Sequence, residues 1–148
     1  MNREKEIGFV VRRLSNLIKR DVEKSRSRLG LDPVKGVNGW VISYIYENRD
    51  KDIFQKDFEE KFSIRGSTAS KILKNMEQKG YISRVSVDYD ARLKKIILTD
   101  KAFDIHKKIL SEINARENKM KKGLNENEIK LFFKVMNKLC DNMEEEND

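Results

Sequence analysis

A mainly α-helical chain carrying one small β-hairpin is predicted here, and three observations predict it. Apolar residues recur at three- and four-residue steps in six separate stretches, the pattern of amphipathic helices. After Gly80 that period gives way to two short β-branched segments, which read as strands. The 148 residues are enough for one domain with a real core.

The elements follow in order. Ile7, Val10, Val11, Leu14, Leu17, Ile18 and Val22 define a first helix over residues 4–27. It ends before Gly30, and Asp32-Pro33, with the only proline, marks a turn. Val37, Trp40, Val41, Tyr44 and Ile45 give a second helix ending near Asn48, with Trp40 and Tyr44 read most simply as core. The polar run 47–52 is a loop. Phe54, Phe58 and Phe62, four apart, give a short third helix, and residues 63–66 form a tight turn. Ala69, Ile72, Leu73 and Met76 line one face of a fourth helix that stops at Gly80, because glycine accepts positive φ without a Cβ clash.

Residues 81–87 and 95–99 are the two strands. Between them residues 88–94 are short and charged, so the expected hairpin has a basic tip with Arg92 on it. A fifth helix over residues 100–122 carries Phe103, His106, Ile109, Leu110 and Ile113 on one side and ends at Gly123. Asn125 and Glu128 have capping-box spacing for a sixth, which carries Ile129, Phe132, Phe133, Val135, Met136, Leu139, Cys140 and Met143. The acidic tail, residues 144–148, is expected to fray. Short helices joined by a tight turn and followed by a two-stranded wing make a winged helix-turn-helix. The expected organisation is one domain, 1–148, with the winged lobe at 34–99 and the flanking helices at 1–33 and 100–148.

The formal net charge of +7 favours an anionic partner. No stretch approaches the roughly 20 apolar residues of a membrane span. The N-terminus lacks an apolar signal core, so a cytoplasmic protein is expected. One cysteine, Cys140, and one histidine, His106, leave little for metal or triad chemistry, and no glycine-rich phosphate loop is present. A small enzyme is disfavoured, and no cofactor is expected. His106 reads as packing or interface. Cys140 reads as a packed residue rather than a redox switch.

The fourth helix carries the functional signal. With Ala69, Ile72, Leu73 and Met76 inward, Ser67, Thr68, Ser70, Lys71, Lys74 and Asn75 are left on or near the outer face. Small hydroxyls let a helix enter the major groove and touch base edges, and lysines meet flanking phosphates. Any amphipathic helix has a polar face, so this alone decides nothing. Arg65 before the helix, and Arg92, Lys94 and Lys95 in or beside the wing, tip the balance toward DNA over a protein- or RNA-docking winged helix. A wing arginine suits the minor groove, and Asp90 is placed to hold it.

The segment from Gly66-Ser67-Thr68-Ala69-Ser70-Lys71 through Leu73-Lys74-Asn75-Met76-Glu77-Gln78-Lys79-Gly80, then Ile82-Ser83-Arg84, Asp90-Ala91-Arg92 and Leu98-Thr99, resembles the MarR (multiple antibiotic resistance regulator) family. The resembling motifs span about residues 63–99, and Ala102 stands where that family usually has glycine. The resemblance implies an obligate homodimer built from the first and last two helices, reading a pseudo-palindromic operator in double-stranded DNA. It implies a repressor relieved by a small effector, often anionic or phenolic. It places Arg65, Ser67, Thr68, Ser70, Lys71 and Lys74 on the DNA-reading element, with Asp90, Arg92 and Lys94 on the wing. It also implies a ligand crevice that Trp40 and Tyr44 would line, with Arg12, Arg13 and Arg84 meeting an anion.

Overall fold

The computed structural model describes residues 2–29 and 39–145. The predicted turn at Asp32-Pro33 and the predicted start of the second helix at Val37 lie outside the described residues. After a short 3-10 turn at Arg3–Lys5 come α1 (Ile7–Arg28), α2 (Gly39–Glu47), α3 (Gln55–Lys61), α4 (Gly66–Gln78), β1 (Ile82–Val87), β2 (Asp90–Leu98), α5 (Asp100–Lys121) and α6 (Glu126–Glu145). The element order is the one the periodicity predicts. The chain divides into two compact units, Met1–Ile113 and Asn114–Asp148.

The core of the first unit gathers Val41, Ile42 and Ile45 from α2, Ile53, Phe58 from α3, Leu73 and Met76 from α4, Tyr81, Ile82 and Ile96 from the hairpin, and Ala102 and Ile109 from α5. Burying each large aliphatic side chain contributes about 1.5–3 kcal/mol, so this cluster dominates the stability of the lobe. Tyr44 packs edge-on against Phe58 and Phe62, with ring centroids 5.3 and 5.8 Å away. Trp40 departs from the expectation of core: it is 55% exposed, because it lies one position before the buried Val41 and Ile42 on the outer side of α2.

Local rules explain the joints. Asp57 accepts the N–H of Phe54 at 2.7 Å and so caps α3. Phe54 is therefore the N-cap rather than a helical residue. Ser63, at φ 49°, turns the chain into α4, and Gly66 sits where an added Cβ would come within 2.9 Å of Glu59 Oε1. Gly80 ends α4 at φ 78°. Its carbonyl accepts the Thr99 hydroxyl, which ties the start of α5 to the end of α4. Gln55 Nε2 donates to the Gly66 carbonyl at 3.2 Å, a second link between α3 and the start of α4.

The hairpin differs from its prediction. The turn is only Asp88 and Tyr89, and β2 begins at Asp90 instead of 95. The antiparallel register runs evenly from Ile82↔Leu98 to Ser86↔Lys94 and then jumps to Val87↔Asp90. Residues 91–93 thus have no partner on β1, and Arg92 lies on this bulged stretch rather than at the tip. A charged run hides a strand of this kind, because a bulge breaks the alternation that marks strands in sequence.

α1 is joined to α5 within the first unit. Ser25 Oγ donates to Glu112 Oε2 at 2.8 Å, and Arg28 Nη2 reaches the same oxygen at 2.7 Å. The rest of α1 presents Ile7, Phe9, Val10, Val11, Leu14 and Leu17 to solvent. In the second unit, Gly123 at φ 83° turns the chain just after α5. Asn125 and Glu128 then form the predicted box, with Glu128 N–H to Asn125 Oδ1 at 2.8 Å and Asn125 N–H to Glu128 Oε1 at 3.3 Å. α6 leaves Leu131, Phe132, Phe133, Val135 and Met143 exposed. Cys140, expected to be packed, is also exposed on it. Among the described residues no helix is long and apolar enough to cross a membrane.

Candidate nucleic-acid interface

α4 carries two stripes. Ala69, Leu73 and Met76 are buried and Ile72 is half-buried, at helical positions i, i+3, i+4 and i+7. Ser67, Ser70, Lys71 and Lys74 repeat the same spacing two residues earlier, and all four are exposed, as are Thr68 and Arg65. The apolar stripe fixes the helix against the core, and that fixes the direction of the polar one. Arg65 is the N-cap and offers no side-chain acceptor to the first turn. The Glu59 carboxylate lies beside Gly66 at this end of the helix, where the partial positive charge favours an anion. Residues 66–76 contain no carboxylate.

The wing holds the second set. Asp90, half-buried at the start of β2, accepts three N–H groups from Arg92: the backbone at 2.9 Å, Nε at 3.2 Å and Nη2 at 3.2 Å. These bonds hold the Asp90 carboxyl below the ordinary aspartate range, the side-chain bonds more than the backbone one. The arginine side chain is nonetheless 90% exposed. The guanidinium is thus aimed but not consumed, since further N–H donors stay directed at solvent. Lys94 is exposed beside it. Lys95 instead pairs with Asp52 at 3.6 Å.

Of the five residues expected in a crevice, one, Trp40, lies on an apolar one among the described residues. An apolar crevice of about 240 Å³ opens among α2, α3 and α4, lined by Trp40, Phe58, Phe62, Ile64, Ile72 and Leu73 with Val41 and Ala69. Trp40 is the only one of the five that lines it. Tyr44 is occupied by its aromatic neighbours, and burial pushes its phenol pKa up. Arg84 Nε is buried without a hydrogen-bond partner, 3.8 Å from Glu77 Oε2. Arg12 and Arg13 are exposed on the N-terminal half of α1. Arg12 is 13 positions, about 20 Å of helix, from the Ser25 junction.

His106 is a packing residue, as its spacing suggested. It is buried and stacks on Tyr46 at 4.0 Å, while Arg49 covers the Tyr46 ring, its guanidinium carbon also 4.0 Å from the centroid. Burial lowers its pKa, and the charge of Arg49 works in the same direction against Glu47. Two residues at the wing escaped the sequence reading, Asp52 and Tyr89. Tyr89 Oη donates to Asp52 Oδ2 at 3.0 Å. Nothing in the charged run 47–52 singles out Asp52; an aromatic at a two-residue hairpin turn, where Asn or Gly is usual, was the available signal for Tyr89.

The exposed basic helix, the Asp90-held arginine and the bulged wing stand in one lobe, and residues 30–93, most of that lobe, match the model of the MarR family. Over that stretch the chain is similar to the MarR family. A relative of this chain, the HTH-type transcriptional regulator BilQ of Clostridioides difficile (strain CD3), is 25% identical over 111 residues, 75% of each protein. The transcription regulator MarR from Oenococcus oeni PSU-1 superposes with a TM-score of 0.77 at 28% identity, covering 92% of this chain and 99% of that one. A MarR family transcriptional regulator from Listeria monocytogenes, solved with a 26mer DNA, shares the fold with a TM-score of 0.81 at 21% identity, over 96% and 91% of the two chains. The C. difficile relative and the O. oeni protein are both transcription regulators.

Proposed function

We propose that this chain is a MarR-family transcriptional regulator, a cytoplasmic homodimer that binds a pseudo-palindromic operator and represses transcription until a small anionic or phenolic effector releases it. The observation that carries the DNA-binding part is the exposed stripe Ser67, Ser70, Lys71 and Lys74 on α4, set beside a wing whose Arg92 is aimed by Asp90. On this reading α4 enters the major groove. Arg65, Thr68 and the two lysines meet phosphates or base edges, and Arg92 with Lys94 reaches the adjacent minor groove. The DNA solved with the L. monocytogenes relative supports the same use of the shared fold.

The dimer is supported by what each unit leaves uncovered. α1 shows six large apolar residues to solvent and α6 shows five. A soluble monomer rarely leaves such faces open, and a second copy would bury them by a two-fold contact. Residues 1–33 and 100–148 would then be the dimerisation helices, and 34–99 the DNA-binding lobe. Effector release is carried over from the family the chain resembles. Trp40 beside the crevice behind α4 is its strongest support here, with Arg12, Arg13, Tyr44 and Arg84 as weaker members of the site.

Selection of bound duplexes from a random DNA pool tests the reading, repeated with candidate effectors such as small aromatic acids. Enriched sequences should contain two inverted half-sites with centres about 10 base pairs apart. A pool that yields no enriched sequence, or only direct repeats, would contradict it.

A further inference from the structure

We propose that Asp52 is a positioning residue for the wing: by holding Tyr89 and Lys95 at once, it sets where Arg92 meets DNA. This rests on the DNA-binding reading above. Three consecutive residues ahead of α3 touch the hairpin. Asp52 Oδ2 accepts the Tyr89 hydroxyl at 3.0 Å, and Oδ1 lies 3.6 Å from Lys95 Nζ. The Ile53 carbonyl accepts the Ile96 N–H at 2.7 Å. The Phe54 ring meets Tyr89 edge-on, with centroids 6.5 Å apart.

A two-stranded hairpin is marginal on its own and takes its orientation from what it packs on. Here the inner part of the ladder, up to Ser86↔Lys94, is regular and carries the buried Ile82 and Ile96. The register then breaks, and Arg92 lies beyond the break. Asp52 spans that break: Lys95 is on the ladder side and Tyr89 is at the turn. Phe54, next but one to Asp52, is also the N-cap of α3. The clamp therefore ties the far end of the wing to the element that leads into α4.

Each bond is exposed and stabilises the fold little, since surface ion pairs contribute near zero to 1 kcal/mol. The effect is on DNA binding. An arginine whose supporting strand is already placed loses less freedom on reaching the groove.

The experiment is a binding titration against the best-bound duplex that the wild type selects from random DNA. The same duplex with G·C pairs substituted under the wing is titrated in parallel. Asp52→Ala should weaken binding about 3- to 10-fold. Asp52→Asn, which keeps an acceptor for Tyr89, should recover much of that loss. Tyr89→Phe removes only a hydroxyl from an exposed ring, so folding is spared, and it should weaken binding in the same direction. In an Arg92→Ala background the Asp52→Ala loss should vanish, because the clamp then has nothing to aim. Equal loss in both backgrounds overturns the proposal. So does tighter binding by Asp52→Ala and Asp52→Asn alike, which would make Asp52 only a charge that repels phosphate. A wild type that selects no duplex removes the DNA-binding reading itself, an outcome distinct from either.

Discussion

Replacing Arg92 by alanine separates the wing from the rest of the molecule. The side chain is 90% exposed, and its bonds in this chain are to Asp90, two residues away. Removing it should leave the melting temperature nearly unchanged, because exposed substitutions of this kind stay within about 0.5 kcal/mol. Its loss on DNA should be larger. A charge-assisted contact contributes about 1–3 kcal/mol, or about 5- to 150-fold in affinity for each half-site. Asp90→Ala should be milder. It leaves the guanidinium in place but frees it from two side-chain bonds, and re-ordering one long side chain costs about 0.5–1.5 kcal/mol, about 2- to 12-fold. The assay is fluorescence anisotropy on a small panel of duplexes, with base changes under α4 and under the wing. Arg92→Ala should keep the wild-type preference for bases under α4, whereas at least one change among Ser67, Ser70 and Lys71 should alter it. If Arg92→Ala binds the selected duplex as tightly as the wild type, the wing is a structural hairpin and the minor-groove role is wrong.

Other outcomes follow from the same geometry. Gly80→Ala forces a Cβ onto φ 78° and should cost about 1–2 kcal/mol in a denaturant melt. His106, its pKa lowered mainly by burial, stays neutral in the fold while the unfolded chain takes a proton. Stability should therefore fall as pH drops below the unfolded histidine value of about 6.5, and His106→Phe should flatten that slope in thermal melts. The Asp90 carboxyl should titrate below ordinary aspartates by NMR and move back up in Arg92→Ala. Light scattering should give twice the mass of one chain, and a stable monomer would leave the exposed faces of α1 and α6 unexplained.

The fold was legible wherever a side chain's environment depends on near neighbours in the chain. Ala69, Leu73 and Met76 announced α4 because a helix repeats its face every three to four residues. Gly80 and Gly123 announced helix ends because positive φ selects glycine, and Asn125 with Glu128 announced a cap that closes within one turn. Trp40 and Cys140 misled, since an apolar residue on a helix says only that some surface awaits it. In this chain both are exposed. β2 was misplaced for a different reason. Residues 90–94 are paired or bulged by the opposite strand, and charge patterning along one strand does not record what stands across from it.

The same distinction divides the candidate site. Lys71, Lys74 and Arg92 could be selected in sequence because their chemistry suits phosphates and grooves. Whether each is free to act depends on contacts distant along the chain. Lys95 has the same chemistry as Lys94, yet Asp52, 43 positions earlier, engages it. Arg84 looks like an anion receptor, yet Glu77 on α4 stands beside it. Arg92 alone among these combines a local partner, Asp90, with an exposed head. The Asp-x-Arg spacing therefore carried more information than any single basic residue: a carboxylate two positions away can aim an arginine whatever the rest of the fold does. What the spacing could not carry is the clamp from Asp52, which settles where that aimed arginine stands relative to α4. The base preference of this protein should accordingly follow α4, while its affinity follows how firmly the loop before α3 holds the wing.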